Sequence, residues 1–76
     1  MLTKNELSAK LNQMYYNAPK GEKVSMIHLF GIKYADEIKK SGIATKEIAK
    51  DANINESYGT EISKGVKLSK YVQVKP

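Results

Sequence analysis

The 76-residue sequence predicts a small, mainly α domain of about four helices with a C-terminal β-strand or wing. Three observations point there. Apolar residues recur at helical spacing from Leu7 to Ile38, a capped helix start stands at Thr3, and the final "VKLSKYVQVKP" alternates with a period of two. At this length a single domain over 1–76 is expected, burying roughly 60% of the surface of its unfolded chain. Cysteine is absent, so neither disulfides nor thiolate metal sites support so small a core.

The first helix is expected over 2–16. Thr3 and Glu6 have capping-box spacing, and Leu2 before the cap can staple onto Leu7. Leu7, Leu11 and Met14 or Tyr15 then form one stripe, with Glu6 and Lys10 paired four residues apart. Tyr15 and Tyr16 are adjacent, so only one of them can face the core. Pro19 and Gly21 in "NAPKGEK" end this helix in a turn.

A central helix is expected over 24–40, on the stripe Val24, Ile27, Phe30 or Gly31, Tyr34 and Ile38. Val24, Met26 and His28 also alternate as a short strand would, and Gly31 costs a helix roughly 1 kcal/mol relative to alanine. "KKSG" supplies cations and a terminating Gly42. Two short helices follow, over 45–52 with Thr45 as cap and over 55–64 with Asn55 as cap, before Gly65 stops the chain. In the last segment Val66, Leu68, Val72 and Val74 alternate with polar residues, apart from Lys70. A strand there needs a partner, from 22–28, from a hairpin within 66–75, or from a second copy of the chain.

Residues 45–64, "TKEIAKDANINESYGTEISK", resemble the bacterial helix-turn-helix of repressors and related regulators. Ile48 and the small Ala49 and Ala52 fit its first helix. Asn53 stands where the motif has glycine, and asparagine tolerates the left-handed conformation the turn needs. Ile54 fits the buried turn residue and Ile62 the later core contact. Gly59 departs from the pattern, which has valine or isoleucine there. One reading is that the apolar stripe has moved to Tyr58, Ile62 and Val66, with Gly59 letting this helix approach Ala49 and Ala52. The other is that "YG" marks a break and a shorter helix starts near Thr60.

The resemblance implies double-stranded DNA as partner. With Tyr58 and Ile62 inward, Asn55, Glu56, Ser57, Thr60 and Lys64 would face base edges: Lys64 donating to guanine, Glu56 accepting from cytosine, Asn55 reading adenine or holding a phosphate. Lys46, Lys50, Lys67 and Lys70 would contact phosphates. The net charge of +5 and the pI of about 9.5 favour a polyanion. All 13 basic residues are lysine, which weakens bidentate guanine readout, and Glu56 and Glu61 on or beside the reading face repel phosphates. A homodimer is expected, since one module makes few base contacts and the last strand lacks a partner.

The expectation is thus a DNA-binding regulator or accessory module of a prokaryotic or phage system. Its rival is a protein-binding inhibitor or adaptor using the same shape without DNA. No catalytic set, cofactor motif or metal-ligand spacing is readable, and the single His28 is expected to be a buried or half-buried helix residue. Lys4, Glu6, Lys10 and Asn12 interrupt any apolar run in residues 1–20, so neither a signal peptide nor a membrane span is expected and the cytoplasm is the default location.

Overall fold

The computed structural model describes residues 2–75; Met1 and Pro76, the ends of the expected 1–76 domain, lie outside the described residues. Among those described, five α-helices and one 3-10 turn follow one another: α1 Lys4–Tyr16, α2 Lys23–Lys33, α3 Ala35–Ser41, α4 Thr45–Asp51, the turn Glu56–Tyr58 and α5 Gly59–Leu68. The large side chains Leu7, Leu11, Ile27, Phe30, Ile48 and Ile62 are fully buried, drawing the core from α1, α2, α4 and α5. Each such burial contributes roughly 1.5–3 kcal/mol.

α1 starts as its sequence dictates. The Glu6 N–H donates to Thr3 Oγ1 at 3.2 Å, the Thr3 N–H donates to Glu6 Oε1 at 3.0 Å, and Leu2 packs on the core. This reciprocal cap draws the Glu6 carboxyl below its ordinary range, chiefly through the hydrogen bonds with Thr3.

The helix expected over 24–40 is two helices that meet at Tyr34, whose φ of −108° and ψ of 21° break the helical geometry. Hydrogen bonding nevertheless bridges the break, since the Tyr34 N–H donates to the Phe30 carbonyl at 3.0 Å and its carbonyl accepts from Ile38 at 2.9 Å. The bend brings Ala35 and Ile38 into contact with the core, whereas Val24, expected on the buried stripe, is exposed. Gly42 ends α3 in the left-handed conformation (φ 69°), as its sequence position suggests.

α2 and α5 cross closely, and two glycines make it possible. A Cβ on Gly31 would lie 2.5 Å from the Ile62 carbonyl oxygen and 2.9 Å from Gly65 Cα, and one on Gly65 would strike the His28 carbonyl. Gly65 is therefore not the expected stop: it sits inside α5, at the point where backbone must meet backbone.

The C-terminal strand or wing is not formed. Val66, Lys67 and Leu68 are the last residues of α5, 69–71 turn, and no described residue lies in a strand. The period-two pattern lost to the helical one: Ile62 and Val66, four apart, share the core-facing side of α5, and Ser69 closes the helix by donating its N–H to the Gly65 carbonyl at 3.1 Å. The expected partner segment 22–28 falls in α2 and its approach.

Candidate nucleic-acid interface

The interface is built on α4, the tight turn after it, the 3-10 turn and α5. Ile48, Ala49 and Ala52 are buried, and Asn53 adopts the left-handed conformation (φ 64°) that the turn requires. The Ile54 N–H reaches back to the Ala49 carbonyl at 3.1 Å and its side chain packs on the core. Asn55 caps the next segment, its Oδ1 accepting from the Ser57 N–H at 2.9 Å. Thr45 is not the cap of α4; Ala44 precedes the helix without a side-chain cap, and the Thr45 hydroxyl instead meets the Ser63 hydroxyl at 3.0 Å, tying α4 to α5.

Three residues of α1, four apart and so on one face, satisfy carbonyls at the end of α4 and in the turn. Ser8 Oγ donates to the Ile48 carbonyl at 3.3 Å, Asn12 Nδ2 to the Ala52 carbonyl at 2.9 Å, and the Tyr16 hydroxyl to the Asn53 carbonyl at 2.6 Å. The Ala52 and Asn53 carbonyls are groups a helix end leaves unpaired, whereas the Ile48 carbonyl also accepts from the Ala52 N–H at 2.9 Å. Tyr15 packs on the core while Tyr16 stays half exposed, as two adjacent helical residues must. Nothing in the sequence marked Ser8 and Asn12 for this role beyond their spacing.

Gly59 answers the departure from the motif. A Cβ there would lie 2.7 Å from both the backbone N and Cα of Lys46, so the start of α5 rests directly on the first turn of α4. The close approach is to Lys46, not to the expected Ala49 and Ala52. Tyr58 takes the inward position beside it, packed on the core with its ring 5.9 Å from that of Tyr15. Both sequence readings hold in part, because "SYG" does mark a change: 56–58 wind as a 3-10 turn, and the α-helix begins at Gly59 rather than Asn55 and runs to Leu68 rather than Lys64.

The residues expected to read bases are all exposed: Asn55, Glu56 and Ser57 at the entry to the segment, Thr60 and Lys64 on α5. Thr60 is already a donor, to the Ser57 carbonyl at 2.6 Å, which leaves its oxygen to accept. Lys67, expected on a strand, is instead on α5 beside Thr60 and Lys64. At about 100° per residue these three fall within about 60° of one another around the helix. Lys46 leaves the chain where α4 touches Gly59 and so borders this face; Lys50 lies one turn further along α4, and Lys70 just past the end of α5. All three are exposed.

Glu61 lies beside the reading face, between Lys64 and α2. Its Oε1 is 2.8 Å from His28 Nε2 on α2 and its Oε2 accepts from Lys64 Nζ at 3.2 Å. Hydrogen bonding to His28 first and to Lys64 second holds this carboxyl below its usual range, so it stays ionised. His28 is half buried, as expected of it, and its partner is this carboxylate. The pairing removes one of the two acids counted against DNA and leaves Glu56. Among the described residues no three His, Cys, Asp or Glu side chains come together as a metal site would need, and no helix is long and apolar enough to cross a membrane.

Residues 3–75 match the family model described as an HTH-like domain. No curated protein and no solved structure matches the chain.

Proposed function

Since this chain belongs to the HTH-like domain family, we propose that it binds double-stranded DNA, with the 3-10 turn and α5 entering the major groove. The observation that carries the reading is the outer side of α5, where Thr60, Lys64 and Lys67 stand together and exposed, with the one acid of that helix, Glu61, held at its edge between His28 on α2 and Lys64. A major groove admits one helix, and lysine there reaches guanine acceptors while hydroxyls bond either base edges or phosphates. Asn55, Glu56 and Ser57 occupy the leading end, with Asn55 serving adenine or a phosphate and Glu56 accepting from cytosine. Lys46, Lys50 and Lys70 at the borders of this surface neutralise phosphates. With no arginine to make forked contacts, affinity rests on counterion release and falls steeply with salt.

Within this reading the domain is a regulator of transcription or an accessory module of a prokaryotic or phage system, working in the cytoplasm. It acts as a homodimer, because one helix contacts few bases and a twofold pair reading half-sites roughly 34–36 Å apart multiplies them. That argument stands on base contacts alone now that the tail supplies no strand. A second reading, a protein partner, is favoured by the exposed Leu68, Tyr71 and Val72 after the reading face.

A duplex-DNA titration at two salt concentrations separates the two. Steep salt dependence supports DNA binding, and absent or salt-insensitive binding favours the protein partner. Changing Lys46, Lys50 and Lys64 to alanine weakens DNA binding under the first reading; retained affinity refutes the assignment of these residues.

A further inference from the structure

We infer that the corner between α1 and α2, carrying Lys20 and Lys23, is a second phosphate-contact site that grips the DNA backbone across the groove from Lys46 and Lys50. The inference rests on the DNA-binding reading and extends it to residues outside the helix-turn-helix segment.

The start of the reading segment has basic groups on two sides. Gly59 faces the backbone of Lys46 on α4. Tyr58, the preceding residue on the 3-10 turn and so about 100–120° away around the axis, faces Tyr15 on α1 with ring centroids 5.9 Å apart. Lys23 Nζ stands 4.8 Å from the centre of the Tyr15 ring and 5.5 Å from that of Tyr16. Tyr16 in turn bonds the Asn53 carbonyl, two residues before the cap Asn55. The Lys23 ammonium is therefore one aromatic ring away from the turn that leads into the groove, on a different flank from Lys46. The outward residues Asn55, Glu56, Ser57 and Thr60 lie between the two flanks.

The ammonium is also held in place. Lys23 Nζ donates to the Tyr15 carbonyl at 3.2 Å, which uses one of its three donors and leaves two for an anion, and the two rings limit its wandering. Lys20, three residues earlier, is on a tight turn: the Glu22 N–H closes onto the Pro19 carbonyl at 2.9 Å, and Gly21 at φ 84° supplies the left-handed residue such a turn requires. Lys20 is exposed at the turn's second position, and the corner's one acid is Glu22. A major groove is walled by two phosphate strands, and a helix gripped on one side only can roll within it. Lysines on both flanks fix that roll without reading sequence.

The test is a titration of labelled duplex DNA at several salt concentrations with wild type, Lys20→Gln, Lys20→Gln/Lys23→Gln and Lys64→Gln/Lys67→Gln, with thermal unfolding of each. The expected result is a salt slope shallower by about one for the single corner variant and by about two for the double, at roughly 0.9 per phosphate contact. The loss should be the same on unrelated duplex sequences. If the double variant unfolds more easily, Lys20→Gln alone decides, since Lys20 is an exposed turn residue. Corner variants with the wild-type slope, beside a weakened Lys64→Gln/Lys67→Gln, overturn the corner and leave the DNA reading standing. A wild type that does not bind duplex DNA overturns both.

Discussion

Gly59 offers a test in which two physical effects have opposite signs. Its φ of −55° and ψ of −35° are ordinary right-handed values, so alanine there brings no backbone strain and adds helix propensity worth at most about 0.8–1 kcal/mol, less at a helix start. Propensity alone makes Gly59→Ala stabilising. The packing says the reverse. The new methyl would sit 2.7 Å from Lys46 N and Cα and 3.1 Å from its Cβ, where ordinary carbon contacts are about 3.5–4.0 Å. Two of the three atoms are backbone and cannot rotate aside, so α4 and α5 must part by roughly 1 Å, stretching the Thr45–Ser63 hydrogen bond between them. Overpacking of this kind costs about 1–3 kcal/mol, giving a net destabilisation of about 0–2 kcal/mol after the full propensity gain. For a domain of this length that lowers Tm by about 4–8 °C per kcal/mol. Thermal unfolding followed by far-UV circular dichroism reads it, and valine should lower Tm further than alanine. An alanine variant melting above the wild type would refute the packing argument and return Gly59 to a residue of convenience.

Three further outcomes follow from the same contacts. Glu61→Gln removes the charge that holds Lys64, so under the DNA reading duplex affinity should rise at fixed salt, measured by titration; an unchanged affinity means Lys64 does not contact DNA. Glu6 and Glu61 have pKa values lowered on folding, so their contribution is complete above the unfolded carboxylate value of about 4.3 and is lost as pH falls through the folded values. Acid unfolding of a Glu6→Gln/Glu61→Gln variant should accordingly depend less on pH below that point than acid unfolding of the wild type. Asn53→Ala keeps a Cβ at φ 64° but loses asparagine's better tolerance of that conformation and should destabilise in urea titrations by up to about 1 kcal/mol, while Asn53→Gly should be neutral or stabilising.

What was legible in the sequence was what is encoded within a few residues. The Thr3 and Glu6 cap, the left-handed Asn53 and the Asn55 cap each depend on their immediate neighbours, and each is found where it was expected. The helix ends that depend on distant contacts were not legible. Gly65 has the local character of a stop, yet its role is set by Gly31, 34 positions away on α2, and the helix passes through it. The tail shows why alternation misleads: Val66 and Leu68 satisfy a period of two, but Ile62 anchors a period near 3.6 that has a core to pack on, while a strand had no edge to join. That one correction carried Lys67 from an expected wing onto the reading helix. The bend at Tyr34 has no proline or glycine to announce it, and it follows from bringing Ile38 back onto the core.

The ladder from Ser8, Asn12 and Tyr16 makes the first helix a splint laid along the hinge of the motif, with a rung at each turn. The pitch at which α5 projects is thereby set from outside the two helices that define it. Damage to α1 can then alter how α5 is presented while leaving every side chain on the outer face of α5 intact.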